Sequence, residues 1–406
     1  GFEAKLFLPS RAVNAFGYRE ELKSDRVFKN AGSIWLEKVR DFKQYVQGCD
    51  AVLLGSWKTY KSLAQISRLY GKLVVGHDTT SGLDHYHNSA QYACLKSRFS
   101  KECMLRDHRE LNNVKVPDPN SLIVTGSIAH DNYSAQGAER LAGRSVFLNK
   151  YGLDPSKNTV VFFPKGIKVL RDKIPLWFND WSETRQQAYS DWFTEKYKEI
   201  CIAVKQARCN LFIKMHPSAY ASYRTSSSYE YDFWKRFSWA KVLRPEDTYA
   251  CYRHLDFGIG INTHSALDMG YFGKPFIYVD SDQIQLPEGM RKMNNLTQLP
   301  LGPSSQWHRG GMDDLNPWFP SWLGHFSRAQ DLPDLLNDPD AKRVSPEHRE
   351  AFVKEYWYRS DGKASERIVS VVEKKLDEWN TIKQVKGKIY GLYQQSILTI
   401  NRALKK

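Results

Sequence analysis

A histidine followed by a proline, with a lysine two residues upstream, closes an apolar run at Leu211-Phe-Ile-Lys-Met-His-Pro217. Lys214 offers a positive charge and His216 a ring N–H, while Pro217 holds the turn extended. That set of groups suits a phosphate oxygen. Further along, Thr263-His264-Ser265 stands between Gly258-Ile-Gly260 and Gly270-Tyr-Phe-Gly-Lys-Pro275. Its hydroxyls and backbone N–H groups would gather at a helix N-terminus, where phosphate binds well, and the flanking glycines let backbone approach a ligand closely. A plain Thr or Ser cap reads the same way, so the weight lies on finding two such turns in one half of the chain. A third turn, Pro164-Lys165-Gly166-Ile-Lys168, ends another apolar run, and either lysine could offset a donor's charge. Asp232 lies in Tyr229-Glu-Tyr-Asp-Phe-Trp234. A carboxylate among aromatics is either partly desolvated, as a nucleophile needs, or a first-turn helix residue after caps at Ser226–Ser228. Asp78, Asp84 and Asp131 sit in turns of the first half and could serve an acceptor, whereas Glu246 and Asp247 read as capping acids.

Turns of this kind need strands to aim them. In the first half, strand-like runs at 4–8, 51–54, 72–75 and 121–124 alternate with helical stretches at 34–46, 59–70 and 89–103. In the second half, runs at 159–163, 210–215, 257–261 and 276–279, with a short one opening at 242, alternate with helices that include a long amphipathic one at 182–207. Strand–helix alternation with short connections implies parallel sheets covered on both faces. The expected fold class is therefore α/β, with two Rossmann-like domains facing across a cleft. Residues 1–145 form the acceptor-side domain and 146–345 the donor domain, 346–380 are terminal helices packing across both, and 381–406 are a basic amphipathic tail. Residues 281–326, rich in Pro, Gly and Trp, read as a long loop of the kind that carries function or moves.

Composition narrows the classes. At 406 residues the chain is long enough for two cores, and 41% hydrophobic with 13% aromatic residues is a globular balance. No apolar run reaches the roughly 20 residues needed to span a bilayer, and residues 4–9 read as a first strand rather than a leader. The six cysteines show no C-x-x-C spacing and the eleven histidines no H-x-x-x-H pair, so a structural zinc is not expected, and the compartment reads as reducing. The net charge of +14 is concentrated partly in the tail, where Lys383, Lys386, Lys388 and Arg402 alternate with apolar residues. Such a tail meets an anionic membrane surface or a neighbouring domain, or lies as a solvated helix on the body of the protein. Nucleic acid is not an expected partner, for lack of any Gly-aromatic RNA motif or basic recognition helix.

The Lys-x-His-Pro turn followed by Gly260-Ile-Asn-Thr-His-Ser-Ala-Leu-Asp-Met-Gly-Tyr-Phe-Gly-Lys-Pro275 resembles the donor half of B-type glycosyltransferases. The His-Pro and Thr-x-Ser pair is similar to that of transferases using CMP-activated acidic sugars, Kdo and sialic acid. The most specific likeness is to the bacterial retaining β-Kdo glycosyltransferases, over nearly the whole chain, anchored at 159–168, 211–218 and 242–275. The resemblance implies CMP-β-Kdo as donor, a lipid-linked O-antigen polysaccharide as acceptor, no cofactor and no metal, since helix termini and basic side chains would offset the charge, and a cytoplasmic protein peripheral to the inner membrane. It implies that Lys165, Gly166, Lys214, His216, Pro217, Thr263, His264 and Ser265 hold the donor, and that Asp232 is the nucleophile of a double displacement. The Thr-His-Ser triplet departs from the paired serines of sialyltransferases, which leaves the part played by His264 open. Alternatives are a CDP-glycerol-type glycerophosphotransferase, another CMP-sugar transferase of the sialic acid kind, and, in a different class, a noncatalytic glycan-binding module.

Overall fold

The computed structural model describes residues 7–9, 34–36, 42–54, 61–77, 90–98, 100–101, 105, 118–128, 131, 142–167, 170–171, 174–175, 178–224, 228–261, 263, 265–280, 324–342 and 344–379. The chain divides into two compact units, one formed by 1–135 with 355–406 and the other by 136–354. Each is built on a parallel sheet, so the fold class is α/β with two Rossmann-like units.

In the first unit, strands β3 (Ala51–Leu54), β4 (Leu73–His77), β5 (Tyr92–Leu95) and β6 (Leu122–Val124) pair in chain order, all parallel. A separate parallel pair joins β1 (Phe7–Pro9) to β2 (Ile34–Leu36). Helices α1 (Lys43–Val46) and α2 (Lys61–Leu69) cover one face of the larger sheet, burying Val46, Leu63 and Ala64 against Val52, Leu54 and Val74. Two helical expectations are corrected here. Residues 34–46 hold a strand followed by one helical turn, and 89–103 contain the strand β5. Ala93, Cys94 and Leu95 are buried in mid-sheet, and a four-residue apolar run of that kind reads alike as buried strand or buried helix.

The second unit holds six parallel strands in the order β12 (Gly324–Ser327), β11 (Phe276–Val279), β10 (Phe257–Gly260), β7 (Thr159–Phe162), β8 (Asn210–Ile213), β9 (Lys241–Val242). The chain starts at the centre with β7, builds outward through β8 and β9, then crosses back to lay β10 against the other side of β7. Strand order therefore reverses between β7 and β10. All four residues of β7, β8, β10 and β11 are buried, as the near-continuous apolar text of a doubly covered parallel sheet requires. The helices are α3 (Arg144–Lys150), α4 (Glu183–Gln206), α5 (Pro217–Tyr223), α6 (Tyr229–Lys235), α7 (Thr248–His254), α8 (Ser265–Tyr271), α9 (Leu332–Asn337) and α10 (Pro346–Tyr356). Helix α4 is capped by Ser182, whose hydroxyl accepts the Arg185 N–H at 3.3 Å, and it buries Tyr197, Ile200 and Val204 in the core cluster of β7 and β8. Strand β12 had no counterpart in the sequence reading.

Helix α11 (Ala364–Glu378) belongs to the first unit, where Ile368 packs with Leu73, Val75 and Cys94. Two glycines read as clearance for a ligand turn out to serve packing. A Cβ on Gly260 would lie 2.8 Å from Thr263 Cγ2, and one on Gly270 would run into the ring of Phe352. Close helix–helix and turn–strand approach is what these positions need glycine for.

Candidate active site

Parallel pairing puts the ends of β8, β7 and β10 side by side, and each strand runs straight into one of the three turns. The Lys214 N–H donates to Phe162 O at 2.9 Å and the Phe163 N–H to Ile259 O at 2.9 Å, so the ladder continues into the turns. Lys165 follows β7, Lys214 and His216 follow β8, and Thr263 and Ser265 follow β10. They share one edge at the point where strand order reverses, the place where doubly wound sheets open a crevice.

Burial pushes the Lys165 ammonium down to about 8. The same cause lowers Lys214, against the opposing pull of Asp268 on α8. His216 is held below the usual imidazole range by desolvation first and by the Lys214 charge second, so at neutral pH it is an uncharged ring with one N–H to donate. Its carbonyl accepts the N–H groups of Ala219 and Tyr220 at 2.9 Å each, which starts α5 with Pro217 as first residue. Thr263 Oγ1 accepts the Ser265 N–H at 3.2 Å and opens α8. Ser265 is also hydrogen-bonded to the buried Tyr252. The Lys165 N–H donates to Tyr197 Oη at 2.9 Å, and the Tyr197 hydroxyl donates to Lys165 O at 3.2 Å.

Asp232 is exposed in the first turn of α6, whose N-cap Ser228 accepts the Tyr231 N–H at 3.1 Å. Of the two readings of Asp232, the first-turn helix residue is the one seen, and the buried carboxylate lies two residues earlier. Glu230 has 0% exposure, with Oε2 accepting the Ile167 N–H at 2.8 Å and Oε1 the Trp234 Nε1–H at 2.9 Å. Residues two apart on a helix point to nearly opposite sides, so an inward Glu230 leaves Asp232 outward. Glu230 escaped the sequence reading, although Glu230, Phe233, Trp234 and Phe237 form an i, i+3, i+4, i+7 stripe with an acid in its first place.

Other expected residues are employed elsewhere or fall outside the described set. The Asp131 carboxylate accepts the N–H groups of Ala364 and Ser365 at 2.8 Å each and so caps α11. Asp247 does not cap α7; it takes Lys150 Nζ at 2.7 Å and the Tyr151 hydroxyl at 2.5 Å. Asp78, Asp84, Lys168, His264, the loop at 281–323 and the tail at 381–406 lie outside the described residues. Among the described residues, no group of three or more His, Cys, Asp or Glu could hold a metal ion, and no helix is long and apolar enough to cross a membrane.

No protein-family model and no curated protein matches the chain. Among solved structures, it is similar to the UDP-GlcNAc 2-epimerase from Neisseria meningitidis bound to UDP-GlcNAc, with 11% identity, a TM-score of 0.49, and 91% of this chain and 99% of that one covered. It is also similar to the wall teichoic acid polymerase TagF, with 10% identity, a TM-score of 0.44, and 90% and 98% covered. A third likeness is to a glycosyltransferase from Rickettsia africae ESF-5, with 10% identity, a TM-score of 0.43, and 91% and 98% covered. Likeness at these levels assigns neither substrate nor activity to this chain.

Proposed function

We propose that the chain is a retaining glycosyltransferase that moves Kdo from CMP-β-Kdo to the end of a lipid-linked O-antigen polysaccharide, at the cytoplasmic face of the inner membrane. The observation that supports this most is the gathering of Lys165, Lys214, His216 and Thr263 on adjacent strand ends of the second unit. Two ammonium groups, a neutral imidazole N–H and a hydroxyl match the single phosphate of a CMP donor. They would stabilise the charge that grows on that phosphate as it leaves, so the reading assigns charge neutralisation to side chains and not to a metal.

Retention takes two inversions at the anomeric carbon. In the first, the Asp232 carboxylate attacks that carbon, the bond to the phosphate oxygen breaks, and CMP departs with the electron pair. In the second, the acceptor hydroxyl attacks the same carbon, the glycosyl bond to Asp232 breaks with its electron pair and frees the carboxylate, and the hydroxyl proton passes to solvent. The nucleophile is assigned by sequence resemblance alone; Asp232 is exposed, so the partial desolvation a nucleophile needs would have to come from the bound sugar.

Incubation with CMP-Kdo, CMP-sialic acid and CDP-glycerol in separate reactions, with CMP release measured, separates the readings. Release from CMP-Kdo alone is expected. Turnover of CDP-glycerol alone overturns the assignment, and failure of CMP to raise the melting temperature favours a binding module without a donor site. Anomeric analysis of the product tests the stereochemistry, since an α-linked product would rule out double displacement.

A further inference from the structure

Two buried polar side chains are devoted to the backbone of one short turn. Tyr197, on α4, accepts the Lys165 N–H and donates to the Lys165 carbonyl. Glu230, on α6, accepts the Ile167 N–H from a position 63 residues away in the chain. Trp234 completes the set by donating to Glu230 and by stacking on Tyr197 with ring centroids 6.0 Å apart. A carboxylate with 0% exposure is costly unless donors fill its lone pairs, and closing a strand end does not require one. The N–H groups on either side of Gly166 are thus both committed to buried side chains, which fixes the backbone of the turn around it.

We propose that Glu230 is a positioning residue for the donor phosphate: it pins Ile167 so that Lys165 and Gly166 are held toward the strand-end edge. This rests on the donor-site reading above. The brace also ties α6, which carries Asp232, to the same turn, so the group that holds the leaving phosphate and the helix of the assigned nucleophile share one buried anchor.

Glu230→Gln tests this against Trp234→Phe. The amide of Gln can accept from only one of the two N–H donors, and its own NH2 meets the other, whereas Trp234→Phe removes the indole donor and spares Ile167. Melting temperature, CMP affinity by calorimetry and backbone hydrogen exchange over 164–168 are read for both. Both variants are expected to melt lower. Only Glu230→Gln should weaken CMP by about tenfold, the scale of one lost charge-assisted hydrogen bond, and speed exchange in the turn. Glu230→Asp, which keeps the charge but withdraws it by one carbon, should fall between and serves if the Gln variant does not fold. Wild-type CMP affinity and exchange in the Glu230 variants would overturn the inference and leave the donor site standing. If the unaltered protein binds no CMP, the donor-site reading fails by itself. Exchange then decides for Glu230: faster in its variants than in Trp234→Phe keeps the brace, and equal rates overturn it.

Discussion

Lys165 carries the most readable pH signature in the site. Below about 8 its ammonium is present and, on the proposed donor-site reading, would attract the phosphate, and above that value the charge is lost. CMP affinity measured by calorimetry should therefore fall as pH rises through about 8, and Lys165→Arg, charged throughout, should abolish the step. Folding stability moves in the opposite sense. The unfolded lysine titrates near 10.5 and the folded one near 8, so between these values the unfolded chain binds more protons and stability rises with pH; the full cost of burying the charge applies below the window. Asp232 makes a separate prediction. Asp232→Ala should abolish transfer while CMP still binds, and intact-protein mass spectrometry should find one added Kdo on the unaltered chain after exposure to donor. Survival of transfer in the variant would move the nucleophile elsewhere. The placement of Lys165, Lys214, His216 and Thr263 at one sheet edge was legible because each follows an apolar strand-like run directly, and a parallel sheet carries all such ends to one edge. Glu230 was not, because its partner is a backbone N–H distant in the chain, and nothing in the local text of 229–234 names Ile167.

Among the elements, legibility followed how strongly each segment's pattern excludes the alternatives. The 24-residue α4 shows a sustained helical stripe and a serine cap, while β7, β8, β10 and β11 are short apolar runs bounded by polar turns. Both kinds were read within a residue or two. β2 and β5 were misread as helix, because three or four apolar residues beside helix-compatible text carry no period of their own. The pairing that decides them comes from Phe7–Pro9 in one case and from β4 and β6 in the other. The contact of α8 with α10 gives a prediction at this level. Gly270→Ala should cost roughly 1–3 kcal/mol in chemical denaturation, since the new methyl group meets the Phe352 ring in a packed core. Phe352→Ala in the same chain should remove most of that increment, a non-additivity read from the double-mutant cycle. Simple additivity would mean that the two helices separate under the insertion instead of clashing.

At the level of the whole chain, two cores imply two partly separable stabilities. Ile368, 1% exposed, packs with Leu73, Val75 and Cys94 in the first unit. Ile368→Ala should lower that unit's stability by about 2–5 kcal/mol, while CMP affinity, read from the second unit, stays unchanged. Equal loss of CMP binding would show the two units melting as one. The first unit is discontinuous in sequence, built from 1–135 and closed by residues after 355. That has a consequence for the order of events on the ribosome. The second unit is one uninterrupted stretch, 136–354, and can complete its core as soon as it has left the exit tunnel. The first unit is translated earlier but must wait. Its face formed by Leu73, Val75 and Cys94 stays uncovered until α11 emerges, some three hundred residues after β4 was made. In this protein the half synthesised first is the half finished last, and for that interval its open apolar face is the surface that a nascent-chain chaperone would have to shield.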